Sequence, residues 1–221
     1  VNEYLLALTN SRRIRGLSMS PFYDATMLSI VPMVNPDGVD LAIHGLSAAG
    51  SKKETVLQMN GGSTDFSKWK ANINGVDLNN QFPAGWEIEV GRKETAPAPE
   101  NYPGPRPLSE PESKAMAELA RERDFSRVIA LHTQGEEFYW GYEGKEPPES
   151  EKIAEEFARV SGYEAIQYVD SHAGYKDWYI AEKQRPGFTI ELGHGEHPLP
   201  LDQFDEMYQK TLGIFLAHLY M

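Results

Sequence analysis

The chain has 221 residues, 40% of them hydrophobic and 24% charged, proportions that exclude a disordered or fibrous protein and suffice for a sizeable core. Its 21 Lys and Arg stand against 33 Asp and Glu, and the net charge of -12 argues against nucleic acid and anionic membrane surfaces as partners while suiting a cationic or zwitterionic substrate. Cysteine is absent, which excludes disulfides, thiolate nucleophiles and thiolate metal ligands, so any zinc site must use His and carboxylates.

No window approaches 18 consecutive apolar residues, and no basic segment leads into an apolar run at the start; neither a transmembrane helix nor a signal peptide is visible, and the compartment stays open. The opening VNEYLLALTN is already in helical rhythm with no cap before it, as though the helix began upstream. Residues 24–35, DATMLSIVPMVN, read as a buried strand that ends at the turn Asn35-Pro36-Asp37-Gly38. Residues 38–107 show little periodicity and much Gly, Asn and Pro, and an irregular stretch of that length is more often functional than idle. A helix is expected over residues 109–123, with Ser109 as cap, Glu112 closing a capping box, and Met116, Leu119 and Ala120 on the apolar face.

The strand over residues 127–132 runs apolar up to His132 and then stops in a polar, acidic tail, VIALHTQGEE. A helix over residues 150–160 follows, with Ile153, Phe157 and Val160 at helical spacing and Gly162 as its stop. Residues 163–169 read as a strand, 175–182 as a short helix, 187–192 as a buried strand, and 201–220 as a long helix striped by Phe204, Met207, Thr211, Phe215 and Leu219. Strands alternating with helices imply an α/β domain with a largely parallel central sheet, and no repeat or linker divides residues 1–221. Ligands of such sheets gather at the carboxyl ends of the strands, where this reading places the Asn35–Gly38 turn, His132 and Glu191. A lone strand-end His is ordinarily a hydrogen-bonded structural residue, but a Glu flanked by Phe188, Ile190 and Leu192 is costly without a partner or a function. A neutral imidazole and a carboxylate together suit metal-assisted hydrolysis.

Five motifs sharpen this: VPMVNPDGVD, WKANINGVDLNNQFPAGW, GPRPLSEPES, VIALHTQGEE and GFTIELGHG. In this order and spacing they resemble the zinc carboxypeptidases of peptidase family M14, and within it the bacterial γ-D-glutamyl-diaminopimelate peptidases that cut cell-wall peptides. The resemblance covers essentially the whole chain and implies a three-layer fold, a mixed and largely parallel sheet flanked by helices. It implies that His132 is the family's last zinc ligand, that Glu191 is its general acid and base, and that Lys70 takes the place of the arginine that polarises the scissile carbonyl. Asn79 and Asn80 fall on the family's Asn-Arg pair that grips a substrate's terminal carboxylate; with Asn80 in place of Arg the bidentate clamp is lost, which speaks against simple exopeptidase action. Lys176 matches the wall of the specificity pocket, where a cation favours a carboxylate-bearing side chain such as that of diaminopimelate. The family's mobile tyrosine falls near Val169, beside Tyr168.

The family's first two zinc ligands come as His-x-x-Glu, and none of the six histidines here has Glu three residues later. The resemblance therefore implies a domain over residues 1–221 that lacks its N-terminal portion, with Zn2+ belonging to the intact protein and held weakly or not at all by these residues. The expected function is hydrolysis of an amide bond in a small muropeptide. Two readings stand beside it: an inactive fragment or module that binds cell-wall peptides, and a zinc N-acyl amino-acid deacylase of the same fold. Oligomeric state is not legible.

Overall fold

The computed structural model describes residues 5, 6, 9, 10 and 13–221. The helix expected at the very start falls on residues most of which lie outside that set. Four strands form the main sheet: β3 (Val128–His132), β4 (Glu137–Tyr139), β5 (Glu164–Ile166) and β6 (Gly187–Glu191), in the order β3-β6-β4-β5. β3 runs parallel to β6 and β4 parallel to β5, while β4 and β6 are antiparallel. Before them a two-stranded ribbon pairs β1 (Arg13–Ile14) with β2 (Leu17–Ser18) and leads into the short helix α1 (Ser20–Ala25).

Alternation along the strands separates two cores. On one face Phe138, Phe188 and Ile190 meet Ile153, Ala154 and Phe157 of α6 (Glu149–Ser161) and Ile214 and Ala217 of α8 (Phe204–Tyr220). On the other, Val128 belongs to a cluster with Ala117 and Ala120 of α5 (Pro111–Arg123) and Trp178, Tyr179 and Ile180 of α7 (Tyr175–Lys183). The result is the expected α/β arrangement, a mixed sheet flanked by helices. No helix among the described residues is long and apolar enough to cross a membrane.

The structure corrects several expectations. Residues 26–35 form no strand: none of the described strands pairs with them, and Met27 is 79% and Met33 52% exposed. An apolar run becomes a buried strand only where neighbours supply both a ladder and a cover. Asn35–Gly38 is not a strand-ending turn but the start of α2 (Pro36–His44): the Asn35 side chain accepts from the Gly38 N–H at 3.1 Å, and Pro36 occupies the first helical position, where its missing N–H costs nothing.

The supposedly irregular region also holds α3 (Lys53–Met59) and α4 (Trp86–Val90), and Leu41, Val56, Phe66 and Trp69 pack a small core of their own. α5 begins at Pro111 without a capping box, because the Ser109 hydroxyl is engaged with Gln81 and Glu110 instead. The strand expected over residues 163–169 is only β5, and β4 was not expected at all. The last helix begins as a 3-10 turn at Leu201–Gln203, and Phe204, expected on the buried stripe, is exposed.

Candidate active site

β3 ends at His132 and β6 at Glu191, and the parallel register sets these two residues side by side. The antiparallel register on the other flank of β6 sets Glu137, the first residue of β4, opposite Glu191 as well. Residues opposed in a ladder share a face, so His132, Glu191 and Glu137 form a row across three strands. Ile190 and Phe138, one position away, point into the α6–α8 core, which puts the row on the α5–α7 side. A backbone hydrogen bond from Leu192 N–H to the His132 carbonyl, 2.9 Å, continues the pairing past the strand ends.

Two loops and the start of α7 bring charge to this row. Burial lowers the pKa of His132 below its ordinary 6.5; Asp77 and Asp177 oppose the shift and Lys70 adds to it. The imidazole is therefore neutral at physiological pH, with a lone pair free for a metal or a proton. Burial pushes the Glu191 carboxyl up to about 7, with Lys70 pulling it down and Glu137 pushing it further up. Lys70 thus lies near enough to act electrostatically on both groups. Its backbone is pinned on two sides: its N–H donates to the Pro99 carbonyl at 2.9 Å, and Asn35 Nδ2 donates to the carbonyls of Lys70 at 3.2 Å and Ala71 at 3.0 Å. A Cβ on Gly38 would stand 2.3 Å from the Ala71 carbonyl oxygen, so only glycine admits this close approach. The NPDG motif therefore starts a helix and docks the Lys70 loop at the same time.

Asp77 is buried and shapes the neighbouring turn: Oδ1 accepts from Asn79 N–H at 3.1 Å and Oδ2 from Asn101 N–H at 3.0 Å. That turn, Leu78–Asn80, leaves Asn79 exposed and Asn80 buried. Lys176 departs from its expected part. It is 4% exposed, ion-paired with Asp177 Oδ1 at 2.5 Å, donates to the Gly141 carbonyl at 2.8 Å, and lies over the Tyr142 ring. Its charge is already matched, so it is no free cation in a pocket wall. Tyr168 is 53% exposed and donates its hydroxyl to Glu146 Oε1 at 2.5 Å. The structure brings His132, Glu191 and Lys70 together; it ties Tyr168 to the surface loop that carries Glu146.

Residues 14–213 match the family model for peptidase M14, described as zinc carboxypeptidase. The chain belongs to the zinc carboxypeptidase family. Among curated zinc carboxypeptidase relatives, the gamma-D-glutamyl-L-diamino acid endopeptidase 1 of Lysinibacillus sphaericus is 58% identical over 221 residues, 100% of this chain and 56% of that protein. The uncharacterized protein YqgT of Bacillus subtilis (strain 168) is 47% identical over 220 residues, 99% of this chain and 58% of that one. The chain thus spans less than two thirds of the length of these relatives. A solved carboxypeptidase A from Helicoverpa armigera shares the fold, with a TM-score of 0.53 at 17% identity over 86% of this chain and 51% of that one.

The family is one of zinc enzymes, and catalytic zinc ordinarily takes three protein ligands. His132 has the chemistry of one. Among the described residues no three His, Cys, Asp or Glu side chains are grouped to hold a metal ion, so the residues described here do not by themselves fit a zinc centre. Two members of the site escaped sequence reasoning. Asp77 sits inside the quoted WKANINGVDLNNQFPAGW motif but reads as a turn former, and Glu137 lies in the acidic tail of VIALHTQGEE, where only the strand that follows reveals which way it points.

Proposed function

We propose that this chain carries the acid–base and carbonyl-binding part of a metallopeptidase site that hydrolyses the γ-D-glutamyl-diaminopimelate bond of peptidoglycan-derived peptides. The observation that carries the reading is Glu191 at the end of β6, its carboxyl pushed up to about 7, beside His132 and facing Lys70. A group titrating near neutrality takes and returns a proton with little energetic penalty in either direction. Glu191 removes a proton from the attacking water as the water oxygen bonds to the scissile carbonyl carbon, and hands it to the amide nitrogen as the C–N bond breaks, leaving a carboxylate and an amine. Lys70 supplies a fixed positive charge to the carbonyl oxygen as negative charge develops there. Asn79 and Asn80 offer amide hydrogen bonds in place of a guanidinium clamp, which favours an internal bond over the last residue of an ordinary peptide. The substrate class is taken from the Lysinibacillus relative, whose name specifies a γ-D-glutamyl-L-diamino acid bond.

The test uses the chain extended by a segment carrying the family's His-x-x-Glu pair, assayed with zinc on L-Ala-γ-D-Glu-diaminopimelate and on a C-terminal dipeptide of common amino acids. The expected result is release of diaminopimelate with little action on the dipeptide, and a loss of about a thousandfold or more in kcat on Glu191→Gln with KM within about threefold. Turnover that survives Glu191→Gln overturns the acid–base assignment, and preference for small N-acyl amino acids moves the chain to deacylase chemistry.

A further inference from the structure

Glu137 takes no part in the hydrolysis proposed above, yet it holds the third place in the row begun by His132 and Glu191. Directly opposed residues of an antiparallel pair have Cβ atoms about 4.5–5.5 Å apart, and like charges so placed destabilise the sheet. The chain relieves its neighbour but not this residue: Glu136 receives Lys210 at 2.6 Å and His194 at 3.1 Å, whereas no cation reaches Glu137 among the described residues. The support Glu137 does receive is uncharged. The Tyr139 hydroxyl, two residues along the same face of β4, donates to Oε1, and Oε2 accepts no hydrogen bond among the described residues. Room is also kept for the carboxyl group: a Cβ on Gly135 would stand 3.1 Å from Glu137 Cγ and 3.2 Å from Cδ, tighter than packing ordinarily allows. A half-buried carboxylate that is braced, given space and left without a countercharge is arranged to receive a cation from outside the chain.

We propose that Glu137, braced by Tyr139, binds the second ammonium group of a diamino-acid residue on the leaving-group side of the scissile amide, and so determines specificity. This rests on the proposed function. A diamino acid whose one nitrogen forms the amide carries another amine a few bonds away, protonated at neutral pH, and Glu137 lies one strand spacing, about 4.8 Å, from the group that protonates the leaving nitrogen. Lys176, already matched by Asp177, cannot make an equivalent choice for a carboxylate.

Calorimetric titration of the 221-residue chain with γ-D-glutamyl-L-lysine and with γ-D-glutamyl-L-norleucine, which keeps the carbon skeleton and the D-Glu ammonium but lacks the side-chain ammonium, tests the assignment. The native chain is expected to prefer the lysyl peptide by about tenfold or more, as a charge-assisted hydrogen bond implies. Glu137→Gln should bring the ratio to about one by weakening the lysyl peptide alone, and Tyr139→Phe, which leaves the carboxylate unbraced, should give an intermediate ratio. An unchanged ratio in Glu137→Gln, or no preference in the native chain, overturns the role of Glu137 and leaves the proposed function standing. If Glu137→Gln loses both peptides through misfolding, an unchanged ratio in Tyr139→Phe overturns the role instead. Binding of neither peptide by the native chain overturns this inference together with the reading on which it rests.

Discussion

Glu191 ends a strand on which Phe188 and Ile190 are wholly buried against α6 and α8, while its own carboxyl lies on the opposite face of the sheet, where burial is partial. Its pKa of about 7 against an ordinary 4.5 has a consequence for stability whose sign follows from linkage. Below pH 4.5 the group is protonated in the folded and the unfolded chain alike, and nothing is lost. Between pH 4.5 and 7 the unfolded chain ionises first, so folding stability falls as pH rises through that window and levels off above it. Glu191→Gln cannot ionise and escapes the loss. The variant should therefore match the native chain near pH 4 and exceed it by about 1–2 kcal/mol at pH 8, a figure already reduced for the group's partial exposure; urea unfolding at the two pH values measures the difference. A native chain that gains stability on Glu191→Gln equally at both pH values would falsify the burial account. His132 shows the converse at the scale of a residue: its type and its place at a strand end were legible in the sequence, but its neutrality follows from burial and from Lys70, which only the folded chain brings near.

At the scale of elements, α5 is joined to the loop before it through the buried side chain of Gln81, with Asn72 and Asn74 adding hydrogen bonds to Glu110. Gln81 lies directly after the Asn79–Asn80 turn and is fully buried. Its Oε1 accepts from the N–H groups of Ser109 (2.9 Å) and Glu110 (3.1 Å) and from the hydroxyls of Ser109 (3.1 Å) and Ser113 (3.2 Å), while its Nε2 donates to the Pro103 carbonyl. This cluster, rather than a Ser-x-x-Glu box, satisfies donors at the start of α5. Gln81→Leu nearly keeps the volume and removes the shared acceptor; the Ser109 and Ser113 hydroxyls retain Glu110 as a partner, but the N–H groups of Ser109 and Glu110 are left unpaired at about 1–3 kcal/mol each if they find no water, so a loss of roughly 3 kcal/mol is expected in urea unfolding. The neighbouring Asn79–Asn80 turn should loosen with it, weakening peptide binding as well as stability. Periodicity made α6, α7 and the body of α8 legible within a residue or two, because each has an apolar stripe and α6 has a glycine stop at Gly162. It could not reveal β4, three residues whose strand character comes from the ladder offered by β6 and β5.

For the whole molecule, β3, one of the sheet's two outer strands, presents an edge unpaired among the described residues, with Leu131 exposed, and the run over residues 26–35 leaves Met27, Val31, Met33 and Val34 exposed as well. Open edges and apolar surface together favour association between chains. The 221-residue chain is expected to gain apparent mass with concentration in light scattering, and Leu131→Lys, which charges the edge, should suppress that gain by severalfold at equal concentration. Concentration-independent mass in the native chain would remove the argument. By itself the sequence determined the fold class and the positions of the long helices, because apolar periodicity is a local property, and it offered His132, Glu191 and Lys70 as candidates through strand-end polarity and the order of the five motifs. Tertiary structure alone decided that residues 26–35 join none of the described strands, that Lys176 is matched by Asp177, and that Glu137 stands in line with Glu191. Register, burial and countercharge depend on which strands and loops meet, and a chain read one residue at a time does not contain those meetings.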